Sequence, residues 1–443
     1  MNLTQGRARI ATSIAERLHQ NGHTAYFAGG CVRDQIMNRE AHDFDIATTA
    51  TPDIVEKIFP KVVPVGRQFG VMIVVEEGIP FEVATFRSEA AYLDGRHPSK
   101  VIFSRPEEDA RRRDFTVNGL FYDPFARKVV DFVGGQEDIQ RKVIRAIGHP
   151  EERFEEDKLR LLRAIRFSAN LGFEIEEKTW KSLKAHAAKI TQVSPERIRE
   201  ELVKIFTRPG AGNGFLLLSE SGLMKEVLPE IEAMKGVQQQ PDFHPEGDVF
   251  IHTKMLLDRL QHPSATLALS ALLHDVGKPK TFAVREGKIT FYEHAPLGAA
   301  MAREILKRLR FSNQETDSIC ESVANHMKFA DVQRMRSGKL KQFVSRPNFQ
   351  EELELHKVDC QSSHGMLDHY EFLKKKLVEF AHEDLKPKPL VNGNDLIALG
   401  MKPGPAMKPL LEEIYELQLE GKFKSQEEAL RWVRGRLESP PKV

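Results

Sequence analysis

Cysteine is scarce in this chain. Cys31, Cys320 and Cys360 stand far apart with no CxxC pair, so neither a disulfide framework nor a thiolate zinc site is implied. Long apolar runs are missing as well. No stretch approaches the roughly 20 apolar residues that span a bilayer, and no membrane partner is expected. The opening MNLTQGRARIATSIAERL lacks the continuous apolar core of a secretory signal. It reads instead as an amphipathic helix with Ile10, Ile14 and Leu18 on one face, and the expected setting is cytoplasmic. An excess of one charge is also lacking. Lys and Arg number 65 against 64 Asp and Glu, a net charge of +1. Bulk charge therefore gives no sign of nucleic acid, and any such partner must be held by local basic patches. There is no internal repeat and no low-complexity tract to suggest a solenoid or a disordered tail.

What is present is length and order. At 443 residues the chain exceeds a single compact core and suggests two to four domains. Up to about residue 147, helices and strands alternate. GHTAYFAGG gives a strand and a glycine pair, CVRDQIM opens a helix, and HDFDIAT is a strand. Thr51-Pro52 starts the helix TPDIVEKIF. FGVMIVVEEGIPFEVATFR reads as two strands joined by a tight turn at Glu77-Gly78, and KVVDFVGG as another strand. The expected result is a mixed sheet with helices packed on it. Beyond residue 148 the periodicity becomes helical, with a second all-helical block from about 246 to 366 and a helical tail from 367 to 443.

AHDFDIATT sets the chemical question. In a strand, alternate residues share a face, so Phe44 and Ile46 would be buried while Asp43 and Asp45 project together on the other side. Two carboxylates so placed repel unless a cation lies between them, and a divalent metal meets that need. A lone DxD is weak, since roughly one or two occur by chance in a chain of this length. Three neighbouring segments add to it. GGCVRD puts Gly29 and Gly30 between a strand and a helix, where backbone N–H groups can face a phosphate and Arg33 can add a charged contact. Glu82, in FEVATFR, could supply a third carboxylate suited to a pair of Mg2+ ions, or be a plain edge-strand glutamate. RRRDFTVNGLFYD sets Arg113 and Asp114 ahead of an apolar run, an arrangement that can hold a ribose or be a solvated charge cluster.

GGCVRD, HDFDIATT, FEVATFR and RRRDFTVN, in this order, resemble the class II tRNA nucleotidyltransferases, the CCA-adding enzymes together with the bacterial poly(A) polymerases that share their head. The resemblance implies metal carboxylates at Asp43 and Asp45, triphosphate contacts at Gly30 and Arg33, and ribose recognition by Arg113, Asp114 and Asn118. It implies transfer of nucleotides from CTP and ATP to a tRNA 3′ end with Mg2+. The alternatives within the family are an A-only adding enzyme and a poly(A) polymerase. YLDGRHPSKV resembles the family's flexible loop, here with Asp94 and Arg96.

EEDKLRLLRAIRF, from Glu155, is expected to be one helix. Asp157 and Arg160 would then share a face, with Arg163 and Arg166 continuing the line and Leu159, Leu162 and Ile165 opposite. Spacing alone fits an exposed salt bridge worth a few tenths of a kcal/mol. The resemblance to the family's EDxxR motif implies instead that Asp157 and Arg160 read the incoming base.

The block from 244 to 364 is rich in histidine. His252, His274-Asp275, His294, His326 and Asp359 follow in the order H…HD…H…H…D, a mixture that suits a transition-metal or two-metal site. Asp275, adjacent to His274, could bridge two ions. HDVGKP resembles the HD-superfamily metal-dependent phosphohydrolases, which implies Mn2+ or Ni2+ chemistry and, as a different class of function, hydrolysis of phosphate at RNA 3′ ends. In the tail, VNGNDLIALGMKPGPAMKPLLEEIYELQLEGKF reads as helix, tight loop, helix, with Lys402 and Lys408 placed to meet phosphate. The expected organisation is a catalytic α/β nucleotidyltransferase head (1–147) followed by an all-α remainder. That remainder comprises a neck and body carrying the base-selecting helix (148–245), an HD domain (246–366) and a tRNA-binding tail (367–443). The oligomeric state is left open.

Overall fold

The computed structural model describes residues 5–41, 43–89, 101–241, 244–245 and 247–438. The loop residues Asp94 and Arg96 lie outside these. The chain forms two compact units, Met1–Ala233 with Arg308–Phe311, and Met234–Lys307 with Ser312–Val443. The expected head and the expected neck as far as Ala233 thus fall in one unit, while residues 234–245, the tail and most of the HD block share the other.

The first unit opens with α1 (Gly6–Gln20), which buries Ile10, Ile14 and Leu18 as its spacing predicts. Strands β1 (Ala25–Ala28), β2 (Asp45–Thr48), β3 (Val62–Gly66), β4 (Val71–Glu76) and β5 (Ile79–Thr85) follow, with helices α2 (Gly30–Ile36) and α3 (Pro52–Ile58) between them. A small antiparallel pair, β6 (Arg87–Glu89) and β7 (Val101–Phe103), precedes α4 (Pro106–Arg112), β8 (Leu120–Asp123) and β9 (Lys128–Asp131). The main sheet has the order β3-β4-β5-β2-β1-β8-β9. Only β2 and β5 run parallel in it, so it is a mixed sheet. Glu77 and Gly78 both take positive φ, 51° and 78°, as a two-residue hairpin turn requires. Ala28, Ala47, Phe86, Ala110 and Phe121 pack together between sheet and helices. Phe86 meets Phe121 edge-on at 5.6 Å, a favoured aromatic geometry.

Helix α5 (Gly135–Arg141) leads to the short parallel pair β10 (Val143–Ile144) and β11 (Glu174–Ile175). Around this pair stand α6 (Pro150–Glu156), α7 (Arg160–Leu171), α8 (Glu177–His186), α9 (Pro195–Phe206) and α10 (Ala211–Glu220). The single helix expected from Glu155 is in fact two. Asp157 is extended, with φ −142° and ψ 105°, and separates α6 from α7. Its own carboxylate explains the break: Oδ1 accepts from Leu159 N at 3.1 Å, a local turn that competes with helix continuation. Asp157 and Arg160 therefore do not share a helix face.

The second unit is mainly helical. Helices Val249–Arg259, Ala265–Leu273, His294–Arg308, Asn313–Asn325 and Phe349–Ser362 build the histidine-bearing part. One correction concerns this block, expected to be all helix. It holds an antiparallel hairpin, β12 (Ala283–Arg285) and β13 (Lys288–Thr290), turned at Glu286 and Gly287 with φ 51° and 77°. The strands are too short, and too charged at the turn, to show a strand period. In the tail, Gly393–Ala398 and Met407–Leu419 form the helix, loop and helix expected, packed around Leu396, Ile414 and Val433.

Gly277, within HDVGKP, is a packing contact. A Cβ there would stand 2.2 Å from the His294 carbonyl oxygen and 2.9 Å from Gly298 N, and backbone cannot yield as a side chain can. Gly277→Ala should destabilise this unit by about 2–3 kcal/mol, read as a lower urea midpoint at unchanged slope. Gly287→Ala meets nothing within 4 Å and pays only for its positive φ, about 1 kcal/mol. Equal midpoints for the two variants would refute the packing argument.

Candidate functional site

The head cleft is built at the ends of β1, β2 and β5. Phe44 and Ile46 are buried, 6% and 0% exposed, and Asp45 faces the cleft. The alternation expected for HDFDIAT holds, although β2 begins only at Asp45, so Asp43 sits in the preceding loop. There it is largely exposed and 3.7 Å from Arg7. The parallel register Ile46↔Val83 sets Asp45 beside Glu82. Asp45 is exposed at the cleft mouth, yet desolvation by the cleft walls raises its carboxyl to about 6, with repulsion from Glu82 and Asp43 adding to this and Arg113 opposing it. A carboxylate pushed up by neighbouring acids is one that a cation would bring back down, and this fits a divalent metal. Among the described residues, these three acids do not bring ligand atoms within 4.8 Å of one another.

Gly29 has φ 71°, and a Cβ on it would stand 3.2 Å from Arg113 Nη1, so the turn into α2 tolerates no side chain without moving that guanidinium. Arg33 donates twice to Asp34 Oδ1, at 2.9 and 2.7 Å, and once to Asn118 Oδ1 at 2.7 Å. Arg113 is braced on buried Asp109 at 3.1–3.2 Å and lies 5.0 Å over the Phe121 ring. Asp114 is 7% exposed. Its Oδ1 accepts from Phe115 N at 2.8 Å and Asn118 Nδ2 at 3.2 Å, and its Oδ2 from Arg163 Nε at 2.7 Å. Burial would raise this carboxyl, but Arg163 and these hydrogen bonds outweigh it and hold it below the usual range.

The neck supplies the facing wall. Asp157 Oδ2 accepts from Arg197 Nη2 at 3.0 Å. Arg160 donates to Glu156 at 2.7 Å and to the carbonyls of Arg153 and Arg112 at 3.0 and 3.2 Å. Arg166 pairs with Glu201 at 2.7 Å, and burial draws it down to about 10 against that attraction. Gly29, Arg33, Arg113, Asp114, Asn118, Asp157, Arg160, Arg163 and Arg166 line one cleft of about 770 Å³, together with Gly30, Asp43, Asp45 and Glu82.

Sequence reasoning missed Phe167, Arg197 and Arg208 in the same lining. The half-buried Phe167 ring has the guanidiniums of Arg166, Arg163 and Arg33 at 4.2, 5.3 and 5.6 Å, so head and neck arginines fan around one aromatic face. Its place one residue after Arg166 and four after Arg163 was the available signal.

The histidine block holds a second constellation. His252, His274 and Asp275 bring ligand atoms within 4.8 Å of one another, and so do Asp275, His294 and His326. Asp275 belongs to both groups. All five are buried, while Asp359, 3.0 Å from His252 Nε2, retains 24% side-chain exposure and marks the open side. His274, His294 and His326 each direct Nδ1 at a backbone carbonyl three residues upstream, at 2.7–2.8 Å. With Nδ1–H donating there, Nε2 carries the lone pair. His294 Nε2 and His326 Nε2 then stand 3.1 Å apart as two acceptors facing each other. Burial pulls His326 down to about 3 and lowers His294 as well, so these rings are neutral. Asp275 is held as an anion against burial, with Lys278 Nζ 2.7 Å from its Oδ2, and Asp359 likewise by its hydrogen bond with His252. Neutral imidazole lone pairs converging on a buried carboxylate fit a transition-metal site with a bridging aspartate.

Three family models match the chain: the Poly A polymerase head domain over residues 25–145, the probable RNA and SrmB-binding site of polymerase A over 172–235, and the HD domain over 248–359. A CCA-adding enzyme of Bacillus cytotoxicus is 31% identical over 439 residues, covering 96% of this chain and 98% of the relative. One from a Geobacillus species is 45% identical over 214 residues, 48% of this chain and 53% of that one. The crystal structure of the Bacillus stearothermophilus CCA-adding enzyme in complex with CTP superposes with a TM-score of 0.75 at 27% identity, covering 97% of each chain. Head motifs in one cleft, helical neck and likeness along the whole length agree, and the chain belongs to the CCA-adding enzyme family of class II tRNA nucleotidyltransferases.

Proposed function

We propose that this protein builds or repairs the 3′-terminal CCA of tRNA from CTP and ATP. The observation that carries this reading is the single cleft that collects the acids, the phosphate-facing turn, the Arg113–Asp114 pair and the Asp157–Arg160 segment. Mg2+ ions held by Asp43 and Asp45, with Glu82 as a further carboxylate, would supply Lewis-acid stabilisation of the α-phosphate and the attacking oxygen. The chain does the rest by position. Gly29 and Gly30 admit the triphosphate against α2, and Arg33, Arg163 and Arg166 neutralise it. Arg113 donates to a ribose hydroxyl, and Asp114, whose Oδ2 receives both Nε and Nη2 of Arg163, fixes the wall beside it. The RNA 3′-oxygen bonds to the α-phosphorus, the α–β P–O bond breaks, pyrophosphate departs, and the hydroxyl proton passes to solvent.

Base choice needs no template if Asp157 accepts from an exocyclic amine while Arg160 donates to the adjacent ring nitrogen. Cytosine and adenine carry that amine beside an acceptor. Uracil and guanine present a carbonyl and a ring N–H, leaving two mismatched polar pairs in a desolvated cleft, a strongly discriminating outcome. The test is to extend tRNA ending before CC, tRNA ending after CC, and a generic RNA, with each triphosphate singly and with CTP plus ATP, and to size the products. Three added nucleotides from the mixture alone are expected on the first substrate. A long A tail on generic RNA would establish a poly(A) polymerase instead, and addition of A to the CC-ended tRNA alone an A-only enzyme. In the same assay, Asp157→Ala should lose selectivity against UTP and GTP by about 100-fold while still binding CTP; an unchanged preference would remove Asp157 from base reading.

Asp45 titrates at about 6 in the folded chain against 3.8 for the unperturbed group. Its folded-state pKa is raised, so stability from this group is full below the unfolded value and is lost as pH rises toward 6. Asp45→Asn should therefore raise the melting temperature of the metal-free protein at pH 7.5, leave it unchanged near pH 3.5, and lower nucleotide addition by about 10²–10³-fold or more. A lower melting temperature at pH 7.5 would contradict the desolvation and repulsion that raise this carboxyl.

The facing lone pairs of His294 and His326 favour a second reading for the HD block, a phosphohydrolase acting on phosphate at RNA 3′ ends. It would clear a cyclic or terminal phosphate that blocks the attacking hydroxyl: water oxygen bonds to phosphorus, one P–O ester bond breaks, and the freed ribose oxygen takes a proton. With Mn2+ or Ni2+ the protein should hydrolyse a 2′,3′-cyclic nucleotide or a phosphomonoester, and His326→Ala should abolish that while leaving nucleotide addition intact. Hydrolysis of neither substrate by the unaltered protein would refute the reading. The tail, with Lys374–Lys376, Lys402 and Lys408, is proposed to hold tRNA through its phosphates.

A further inference from the structure

Beside the histidine–aspartate centre, the β12–β13 hairpin exposes a row of large apolar side chains. Phe282 is 45% exposed and Val284 62%. The register Val284↔Ile289 and the 5.9 Å contact of the Phe282 and Phe291 rings put Phe282, Val284, Ile289 and Phe291 on one face. Arg285 lies 4.9 Å over the Tyr292 ring, which places that pair on the other. The two faces differ in what they adjoin. Phe291 packs 6.5 Å from the His294 ring and 5.3 Å from Lys278 Nζ, and its carbonyl is the group that orients His294 Nδ1. The Phe282 face is thereby continuous with the centre, one ring-step beyond a ligand. The hairpin is also pinned, since Ile289 N donates to Gln240 Oε1 at 3.2 Å and the adjacent Gln239 accepts from Lys278 at 2.6 Å.

We infer that the Phe282 face is a platform for the base of a nucleotide whose phosphate is held at the histidine–aspartate centre. An exposed aromatic ring beside a site that would carry a metal ion has the chemistry by which unpaired bases are bound, a π-face for the base and, with the ion in place, positive charge for the phosphate. A large apolar surface left in water on so short a hairpin also calls for an occupant. Two ring-steps, 6.5 and 5.9 Å, carry the row from His294 to Phe282, a span that a nucleotide laid between them can bridge. The inference rests on reading the centre as a phosphate-handling metal site. It adds that the substrate is a nucleotide or an RNA end rather than any phosphate ester.

The test is equilibrium binding to the full chain carrying Mn2+, with the head cleft saturated by CTP. The probes are adenosine 2′-phosphorothioate, which resists hydrolysis, and glycerol 2-phosphorothioate, which has no base. Phe282→Ala should weaken the adenosine ligand by about tenfold or more and leave the glycerol ligand unchanged. Phe282→Trp should restore binding, and Tyr292→Ala, on the opposite face, should alter neither ligand. All three variants should add nucleotides to tRNA at the unaltered rate. Adenosine affinity within twofold of the unaltered chain in Phe282→Ala, equal weakening of both ligands, or no binding by the unaltered chain would each overturn the platform. Failure of the centre as a hydrolase shows separately, as no cleavage of 2′,3′-cyclic AMP or 2′-AMP by the unaltered protein, and the binding comparison then still decides the platform.

Discussion

The buried carboxylate of Asp114 is the joint on which the head cleft depends. It belongs to the head, where Phe115 N and the Asn118 amide hold one oxygen, and its other oxygen receives Arg163 from the neck. An anion 7% exposed is costly to bury unless paired and hydrogen-bonded, and this one has both. Once Arg163 is fixed, the rest of α7 is placed against the sheet. Arg166 and Phe167 follow one helical turn on, and Arg160 reaches back to the Arg112 carbonyl at 3.2 Å. A buried pair of this kind adds little net stability, yet losing one partner costs about 3–5 kcal/mol. Its effect is to specify geometry, setting the neck wall of the cleft at a fixed distance from the head wall.

The two acid-bearing centres handle charge differently. In the histidine block the ligands are fixed before any ion arrives. Three imidazoles are tethered through Nδ1 to backbone carbonyls, and Asp275 lies between two ligand groups. Such a site would be suited to retaining a metal. In the head, Asp43 is exposed and loosely paired with Arg7, and the acids do not converge within 4.8 Å. A divalent cation that keeps waters in its shell, as Mg2+ does, would be suited better by such a loose set of carboxylates than by a closed cage.

Much of this was legible in the sequence. The alternation in HDFDIATT places Phe44 and Ile46 inside, the turn at Glu77-Gly78 joins β4 to β5, and the H…HD…H…H…D order collects at one place, because side-chain periodicity and ligand chemistry are local properties. What was not legible came from competition between local interactions. EEDKLRLLRAIRF carries a sound helical period, but the Asp157 carboxylate captures Leu159 N and ends one helix to begin another. The hairpin at 283–290 has three residues in each strand, fewer than a period-2 pattern needs to stand out. Phe167 resembles any apolar helix residue until folding surrounds it with arginines from two segments.

The break at Asp157 bears on base selection. On a continuous helix Asp157 and Arg160 would move together as neighbours on one face, free to tilt with the helix. Instead Asp157 is held by its own turn and by Arg197, while Arg160 is held by Glu156, by the Arg153 carbonyl and by the Arg112 carbonyl of the head. The two proposed readers are fixed by different partners, and one of those, the Arg112 carbonyl, belongs to the head. A base that fails to satisfy both must displace one of these hydrogen bonds, at a cost of about 0.5–1.5 kcal/mol each and more where charge is involved. If the proposed pair reads the base, discrimination would come from its preorganised resistance to accommodation, and rigid support of the side chains, rather than their alignment on a helix, would let protein groups do the work of a template.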